Sequence, residues 1–280
     1  MTILENQNAC EAEDRNEIKF KGLKKRTGVI VKDESGFKVY QYIAVEKKLK
    51  SNVNVNAVYY LDYDKDGRKE AFILTGKKGN SDEANTLWFG YCTNDKTHVK
   101  RIQKDVMLTA HTLKLKSAVL FCAGGYCETS TPETVYCVKG NKVKSIFDGD
   151  TINKLKGNSF TSIQSAYDSV RDSGGAWMGH TWKPYYFYYK NGKVYEYKAK
   201  QISKDYFKRN YSNAVKILKK YKKKGHVLSI YVRSNGRVHV NYQKDDGEMY
   251  HFTNVTFTIS GKKLVHPIEG TGIYKGSYYE

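Results

Sequence analysis

The chain has 280 residues, 40% of them hydrophobic, and a formal net charge of +19. That is enough for one large β domain or two small ones with a real core, and no apolar run is long enough to span a membrane. Twenty-four Tyr and 23 Gly against three Pro fit half-buried strands joined by many turns, not rigid linkers.

Residues 1–26 lack periodicity and read as a tail, with a single domain expected over 27–280. The opening stretch is polar and acidic, so the expectation is a cytosolic chain or one whose export segment has been removed. Strand-like runs begin at Gly28–Val31 and Phe37–Val45, with a turn at Asp33–Gly36. A strand–turn–strand ending then recurs four times. It occurs at Leu87–Cys92 with His98–Ile102, and at Thr134–Val138 with Lys142–Phe147. It returns at Tyr185–Tyr189 with Lys193–Tyr197, and at Val255–Ile259 with Lys263–His266. Further strand candidates precede each one: Val58–Tyr60 and Ala71–Thr75, Ala118–Cys122, Ala166–Val170 and Ala176–Gly179, and Leu228–Arg233 and Val238–Gln243. The units repeat at roughly 45 to 70 residues, a range that overlaps propeller blades of about 40–50. A lone blade cannot bury its apolar face, so neighbours must pack on it. The expected fold is all-β: a propeller-like array of antiparallel four-stranded units, few in number. A sandwich or barrel is the alternative.

One segment breaks the β pattern. Ser203 can cap a helix, with Asp205 in its first turn. Phe207, Tyr211, Ala214, Leu218 and Tyr221 share one face at helical spacing, and Gly225 is a stop. The pattern predicts one or two amphipathic helical pieces inserted over 203–224. Lys208, Lys216, Lys219, Lys220, Lys222, Lys223 and Lys224 fill most of the other faces. From Lys183 to Gly225 there are fourteen Lys or Arg against two acids, Glu196 and Asp205. A stretch this basic attracts anionic partners, although a lysine face can also merely keep a helix soluble.

The sharpest chemical signal is Asp62-Tyr-Asp64-Lys-Asp66-Gly67-Arg-Lys-Glu70. Carboxylates at alternate positions 1, 3 and 5 can converge on one hard cation, and Gly67 permits the turn that follows. The Arg68 carbonyl and Glu70 can complete an oxygen shell for Ca2+. An EF-hand is excluded, because position 12 is Ile73 and the flanks read as strands. The same residues can instead form an acidic turn without metal.

Strand–loop–strand context with Tyr59-Tyr60-Leu61 before the loop and Ala71-Phe72-Ile73-Leu74 after it resembles the FG-GAP calcium loops of integrin-like β-propellers and their bacterial relatives. The stretch from His180 through Trp182 to Lys193 is likewise similar to proteins of gut Firmicutes that carry such a loop. The resemblance implies a structural Ca2+ held by Asp62, Asp64, Asp66, Arg68 and Glu70. It also implies a secreted or cell-surface binding module. Lys65 stands where that family commonly has Gly or a small residue, and the other units lack a matching loop.

Weaker signals concern aromatic residues, Cys and His. Trp182, Tyr186 and Tyr188 could form an exposed platform for sugars or bases, although strand packing is the commoner use of such rings. Five Cys (10, 92, 122, 127 and 137) leave a disulfide within the last three open. His239 and His251 could face one another across a hairpin. No GxSxG, Walker, HExxH or GxGxxG pattern occurs, so no enzyme is expected. The expectation is therefore a monomeric, calcium-stabilised module on or outside a cell that binds an anionic glycan, wall polymer or protein. The alternative is an intracellular nucleic-acid binder using the same lysines.

Overall fold

A computed structural model describes residues 18–19, 27–33, 36–40, 53–77, 85–93, 96–106, 109–125, 130–172, 177–245 and 249–278. All pairing among its strands is antiparallel, and two helices interrupt them. The all-β class, the four-stranded units and the inserted helical segment are as expected. Two compact units make up the chain, where the sequence suggests one domain over 27–280: residues 1–148 with 156–158, and 149–155 with 159–280. The repeated hairpin ending occurs in both, so it could not mark the boundary. Within 1–26, Ile18–Lys19 is strand β1, paired to Thr27 and Gly28; the remainder of that segment lies outside the described residues.

The first unit holds β1 with β2 (Thr27–Asp33) and β3 (Gly36–Tyr40), and two meanders of four strands each. One is β4 (Val53–Leu61), β5 (Glu70–Lys77), β6 (Asn85–Thr93) and β7 (Lys96–Val106). The other is β8 (Thr109–Lys114), β9 (Val119–Gly124), β10 (Pro132–Lys139) and β11 (Lys142–Asp150). Alternation gives each meander an apolar face, and the two faces share one core. Phe72 of β5 stacks on Phe121 of β9 at 4.1 Å, with Leu74, Leu87, Phe89 and Tyr136 around them. Strand β8 has no counterpart among the sequence candidates, because four of the six residues of Thr109–Lys114 are polar.

The second unit is one sheet of nine strands. It comprises β12 (Asn153–Lys154), β13 (Ser159–Asp172), β14 (Trp177–Lys190), β15 (Lys193–Glu196), β16 (Ala199–Ile202), β17 (His226–Arg233), β18 (Arg237–Asp245), β19 (Met249–Ser260) and β20 (Lys263–Thr271). The third and fourth hairpins are thus parts of one sheet, joined where Val170–Asp172 pair with Met249–His251. Ala176–Gly179 and Tyr185–Tyr189 do not form separate strands: Trp177 to Lys190 is continuous. Only Tyr197 and Lys198 separate β15, paired to β14, from β16, paired to β17. A single extended segment therefore links both ends of the ladder and leaves neither end as a long open edge.

Helix α1 (Lys204–Asn210) begins at Ser203, whose Oγ accepts the Tyr206 N–H at 3.0 Å. Helix α2 (Ala214–Lys224) ends at Gly225. Phe207, Tyr211, Ala214, Ile217 and Tyr221 bury against Ile230, Val240, Tyr242, Val255, Phe257 and Leu264 of the sheet. The break between the helices is pinned, because the Asn213 amide both donates to Leu264 O (2.8 Å) and accepts from Leu264 N (3.1 Å).

Candidate cation loop and lysine face

Residues 62–69 join β4 to β5, whose last and first residues, Leu61 and Glu70, are cross-strand partners. Period-two alternation sends Tyr63 inward. Its ring is 1% exposed and meets Phe72 edge-on at 4.9 Å. That anchor turns Asp62 and Asp64 to the other side. Asp62, Asp64 and Glu70 each offer a carboxylate oxygen within 4.8 Å of the others. Such separations suit a shared calcium, with its loose oxygen shell. Glu70 is buried and accepts the Tyr63 N–H at 3.0 Å. Burial pushes its carboxyl up to about 7; the Tyr63 N–H opposes this, and the charges of Asp64, Asp62 and Asp66 add to it.

Asp66 stands outside that trio. Its carboxylate accepts the Arg68 N–H at 2.8 Å and pairs with the guanidinium at 2.7 Å, which holds it below the usual carboxylate range. In this arrangement Asp66, expected among the metal ligands, is paired with Arg68 instead of turning towards the other carboxylates. The loop backbone is also satisfied from within. Both Asp62 oxygens accept N–H groups, from Asp66 at 3.1 Å and Gly67 at 3.0 Å. Lys65 (φ 62°) and Gly67 (φ 89°) are left-handed, so the turn tolerates a side chain at 65 and uses glycine at 67.

Two bonds tie this loop to the second meander. Asp64 Oδ2 accepts the Gly140 N–H at 2.7 Å, and Lys65 Nζ donates to Lys116 O at 2.9 Å. Neither tether was legible in sequence, since the partners lie 76 and 51 residues away. Tyr63 was the overlooked anchor. Its signal was the aromatic residue at an even position between two aspartates.

Helix α2 carries six of the seven predicted lysines outward, and Lys208 lies on α1. Lys216, Lys219, Lys220, Lys222 and Lys223 are exposed and make no ion pair among the described residues. Lys224 pairs with Glu269 at 2.7 Å, a contact that holds Glu269 below its ordinary value, and Lys208 pairs with Asp205 at 3.4 Å. Those two of the seven predicted residues are therefore partly neutralised. Exposed pairs of this kind contribute little stability. No protein-family model matches this chain, and no curated protein matches it. No helix among the described residues is long and apolar enough to cross a membrane.

The predicted aromatic platform is corrected. Trp182 is 51% exposed, but Tyr186 is buried and Tyr188 is half-buried, stacked on Tyr195 at 5.4 Å. Tyr186 instead lies under the Arg237 guanidinium, 4.5 Å from its ring centroid, on the sheet face opposite α2. That face holds a polar core. The guanidinium of Arg233, 1% exposed, donates to His239 Nε2 (2.9 Å) and to Tyr197 O (2.7 Å), with Tyr185 4.9 Å from it. His239 pairs in register with Thr256, whereas His251 pairs with Lys244, so the two histidines do not face each other. Burial, then the charges of Arg233 and Arg237, keep the His239 ring neutral well below its ordinary pKa.

Cys122 and Cys137 are both buried and are not joined to each other by a disulfide; Cys127 lies outside the described residues. His111 pairs with Glu133 at 2.9 Å across from Cys122. Burial raises that thiol well above its ordinary value, and Glu133 adds to the effect, so it is protonated and a poor nucleophile.

Proposed function

We propose that the chain is a non-catalytic binding module for an anionic polymer, an acidic glycan or wall polymer at a cell surface, with its first unit stabilised by calcium. The observation that carries this reading is the outer face of α2, where five exposed lysines have no acidic partner among the described residues. Such a face concentrates polyanions through long-range attraction and counterion release. The aromatic residues beneath hold the helix on the sheet, so its backbone needs no ordering on binding and only the lysine side chains do.

Asp62, Asp64 and Glu70 would hold the calcium. The ion would supply the positive charge that three convergent carboxylates lack. The residues fit such an ion: the donors are all oxygens, and one is a buried carboxylate whose acidity burial, and then the charges of its neighbours, suppress. The chain's own contribution is to orient these groups, through the Tyr63 anchor and the Gly140 tether.

The test is binding of a soluble polyuronate to the full chain and to a variant with Lys216, Lys219, Lys220, Lys222 and Lys223 changed to Gln. A control variant carries Lys139, Lys142, Lys144, Lys190 and Lys193 changed to Gln. Loss in the first and retention in the second support the reading. Equal loss in both would reduce it to unspecific net charge.

One observation favours nucleic acid as a second reading. Tyr206 is 44% exposed on α1, the helix that also carries Lys208 and Arg209, and can stack on a base. Tyr206→Ala would then weaken single-stranded oligonucleotide binding and leave polyuronate binding unchanged.

A further inference from the structure

Residues 272–278 follow β20 and leave the strand pattern, turning at Gly272 (φ 82°). They cross the polar face of the second sheet, with Tyr274 and Tyr278 buried. Side chains of the sheet hold them. The Asn241 amide of β18 donates to Tyr274 O (2.8 Å) and accepts from Tyr274 N (3.1 Å). Asn254 of β19 donates to Gly272 O at 3.0 Å, and Lys183 of β14 donates to Ile273 O at 2.5 Å. At Lys275 the Tyr185 hydroxyl accepts the N–H and the Arg233 guanidinium donates to the O, both at 3.3 Å. Main-chain bonds to the strands occur at Gly272, whose N–H donates to Phe252 O, and at Gly276, whose O accepts the Ala199 N–H. The pairing of β17, β18 and β19 does not include this segment, so it can leave while they persist.

Beneath the segment lies a histidine with one protonation state. Tyr274 stacks on His239 at 3.9 Å, and Arg233 Nε donates to His239 Nε2 at 2.9 Å. A guanidinium only donates, so Nε2 carries no proton; Nδ1 does, and donates to Thr256 Oγ1 at 2.8 Å. A second proton can go only to Nε2, where it would meet the Arg233 N–H and set two cations side by side. The titratable and charged groups around the ring give it no counter-charge. They are Arg233 and the cross-strand partner Tyr231 on β17, Arg237 on β18, Tyr185 and Tyr186 on β14, and Tyr274 itself. Glu196 on β15 is the acid of this cluster, and it faces Arg233, 3.7 Å from Nη1. Because Arg233 also holds Lys275 O, a ring pushed away from it disturbs both the Tyr274 stack and the Lys275 bond.

We propose that residues 272–278 form an acid-released latch, which detaches from the polar face when His239 takes up a proton while the strands beneath stay paired. The closed ring is held neutral by burial and then by the charges of Arg233 and Arg237. With the segment released the ring reaches water and regains its ordinary pKa of about 6.5. Protons therefore favour the open form below that pH and have no effect above it. The open population rises by up to about tenfold per pH unit, or about 25-fold from pH 7 to pH 5. Release uncovers the Asn241 and Asn254 amides and the Arg233 guanidinium, donors that now read a main chain. The device depends on neither the lysine face nor calcium.

The experiment follows native-state amide exchange of the isotope-labelled full chain at pH 7 and pH 5, corrected for the intrinsic pH dependence of exchange. The Tyr274 and Lys275 amides should lose about 25-fold in protection at pH 5. They should then be less protected than the ladder amides of β18. Equal protection of the two sets at pH 5 would overturn the proposal, because the segment would leave only when the sheet unfolds; so would protection that ignores pH. His239→Gln, which cannot titrate, should flatten the response. A response that survives in that variant would belong to another group, Glu196 among them, and would also overturn it. In the native chain, nitrogen NMR of the His239 ring at pH 7 should place the proton on Nδ1. A proton on Nε2 would contradict the Arg233 contact on which the latch rests.

Discussion

The acidic loop between β4 and β5 and the basic helix α2 pose the same problem, like charges crowded on a short segment, and the chain solves it in two ways. In the loop the carboxylates turn inward, onto backbone N–H groups of the loop itself and of Gly140, and Asp66 is taken by Arg68. In α2 the lysines point outward, and the helix is held by Ile217 and Tyr221 beneath them, with Lys224 alone ion-paired among the described residues. Charges that converge need a counter-charge and make a site for a small ion. Charges that diverge are compensated by solvent and remain available to a large polyanion.

The largest effect expected from that contrast is on the buried side of the helices. Phe207→Ala should destabilise the second unit by about 3–5 kcal/mol, measured by urea unfolding, because a fully buried aromatic leaves a cavity. A loss below about 1 kcal/mol would mean that the aromatic ridge does not hold the helices.

Calcium sharpens the other half of the comparison. Calcium at a hundredfold over its dissociation constant should stabilise the first unit by about 2.7 kcal/mol, read as a rise in melting temperature that a chelator reverses. Asp64→Ala should abolish the response and, through loss of the bond to the Gly140 N–H, lower the metal-free baseline by about 1 kcal/mol. An unchanged melting curve with and without chelator would mean that the backbone N–H groups alone compensate the loop.

A smaller effect concerns a charge kept out of the interior. His239 stays neutral in the folded second unit, whereas the unfolded chain takes up a proton below about pH 6.5. Its contribution is complete above that pH and is lost as the pH falls, by up to about 1.4 kcal/mol per pH unit. Urea midpoints at pH 7 and pH 5 should differ accordingly, and a flat profile would place a proton acceptor beside the ring.

Smallest of all should be the stability cost of the lysines themselves. Lys219→Gln or Lys222→Gln should change unfolding free energy by no more than about 0.5 kcal/mol, since neither side chain has an ion-pair partner among the described residues. A larger loss would make the face structural.

Local features of both regions were legible in the sequence. The Ser203 cap, the Gly225 stop and a buried stripe through Phe207, Tyr211, Ala214 and Tyr221 follow from helical period and capping chemistry, and the structure has them, with Ile217 buried in the stripe and the expected Leu218 only half-buried. Each hairpin carried its own turn signal. Gly140, Gly192 and Gly261 adopt positive φ at the tips of the last three. What escaped was everything that depends on distant partners. Arg233 gives no sign in sequence of being buried, since only the fold brings Tyr185, Tyr197 and His239 around it. The merging of two hairpins into one sheet rests on three residue pairs between Val170–Asp172 and Met249–His251, about 80 residues apart. Likewise Asp66 fits the spacing of a ligand, but spacing does not reveal which of its neighbours will claim the carboxylate.

The central claim is that α2 is a polyanion-binding face, and the salt dependence of polyuronate affinity tests it most directly. Affinity of the native chain should fall steeply as salt rises, and the five-lysine variant should give a weaker and much flatter line. Superimposable lines for the two proteins would show that the polymer is held elsewhere, and the account of the helix would be wrong.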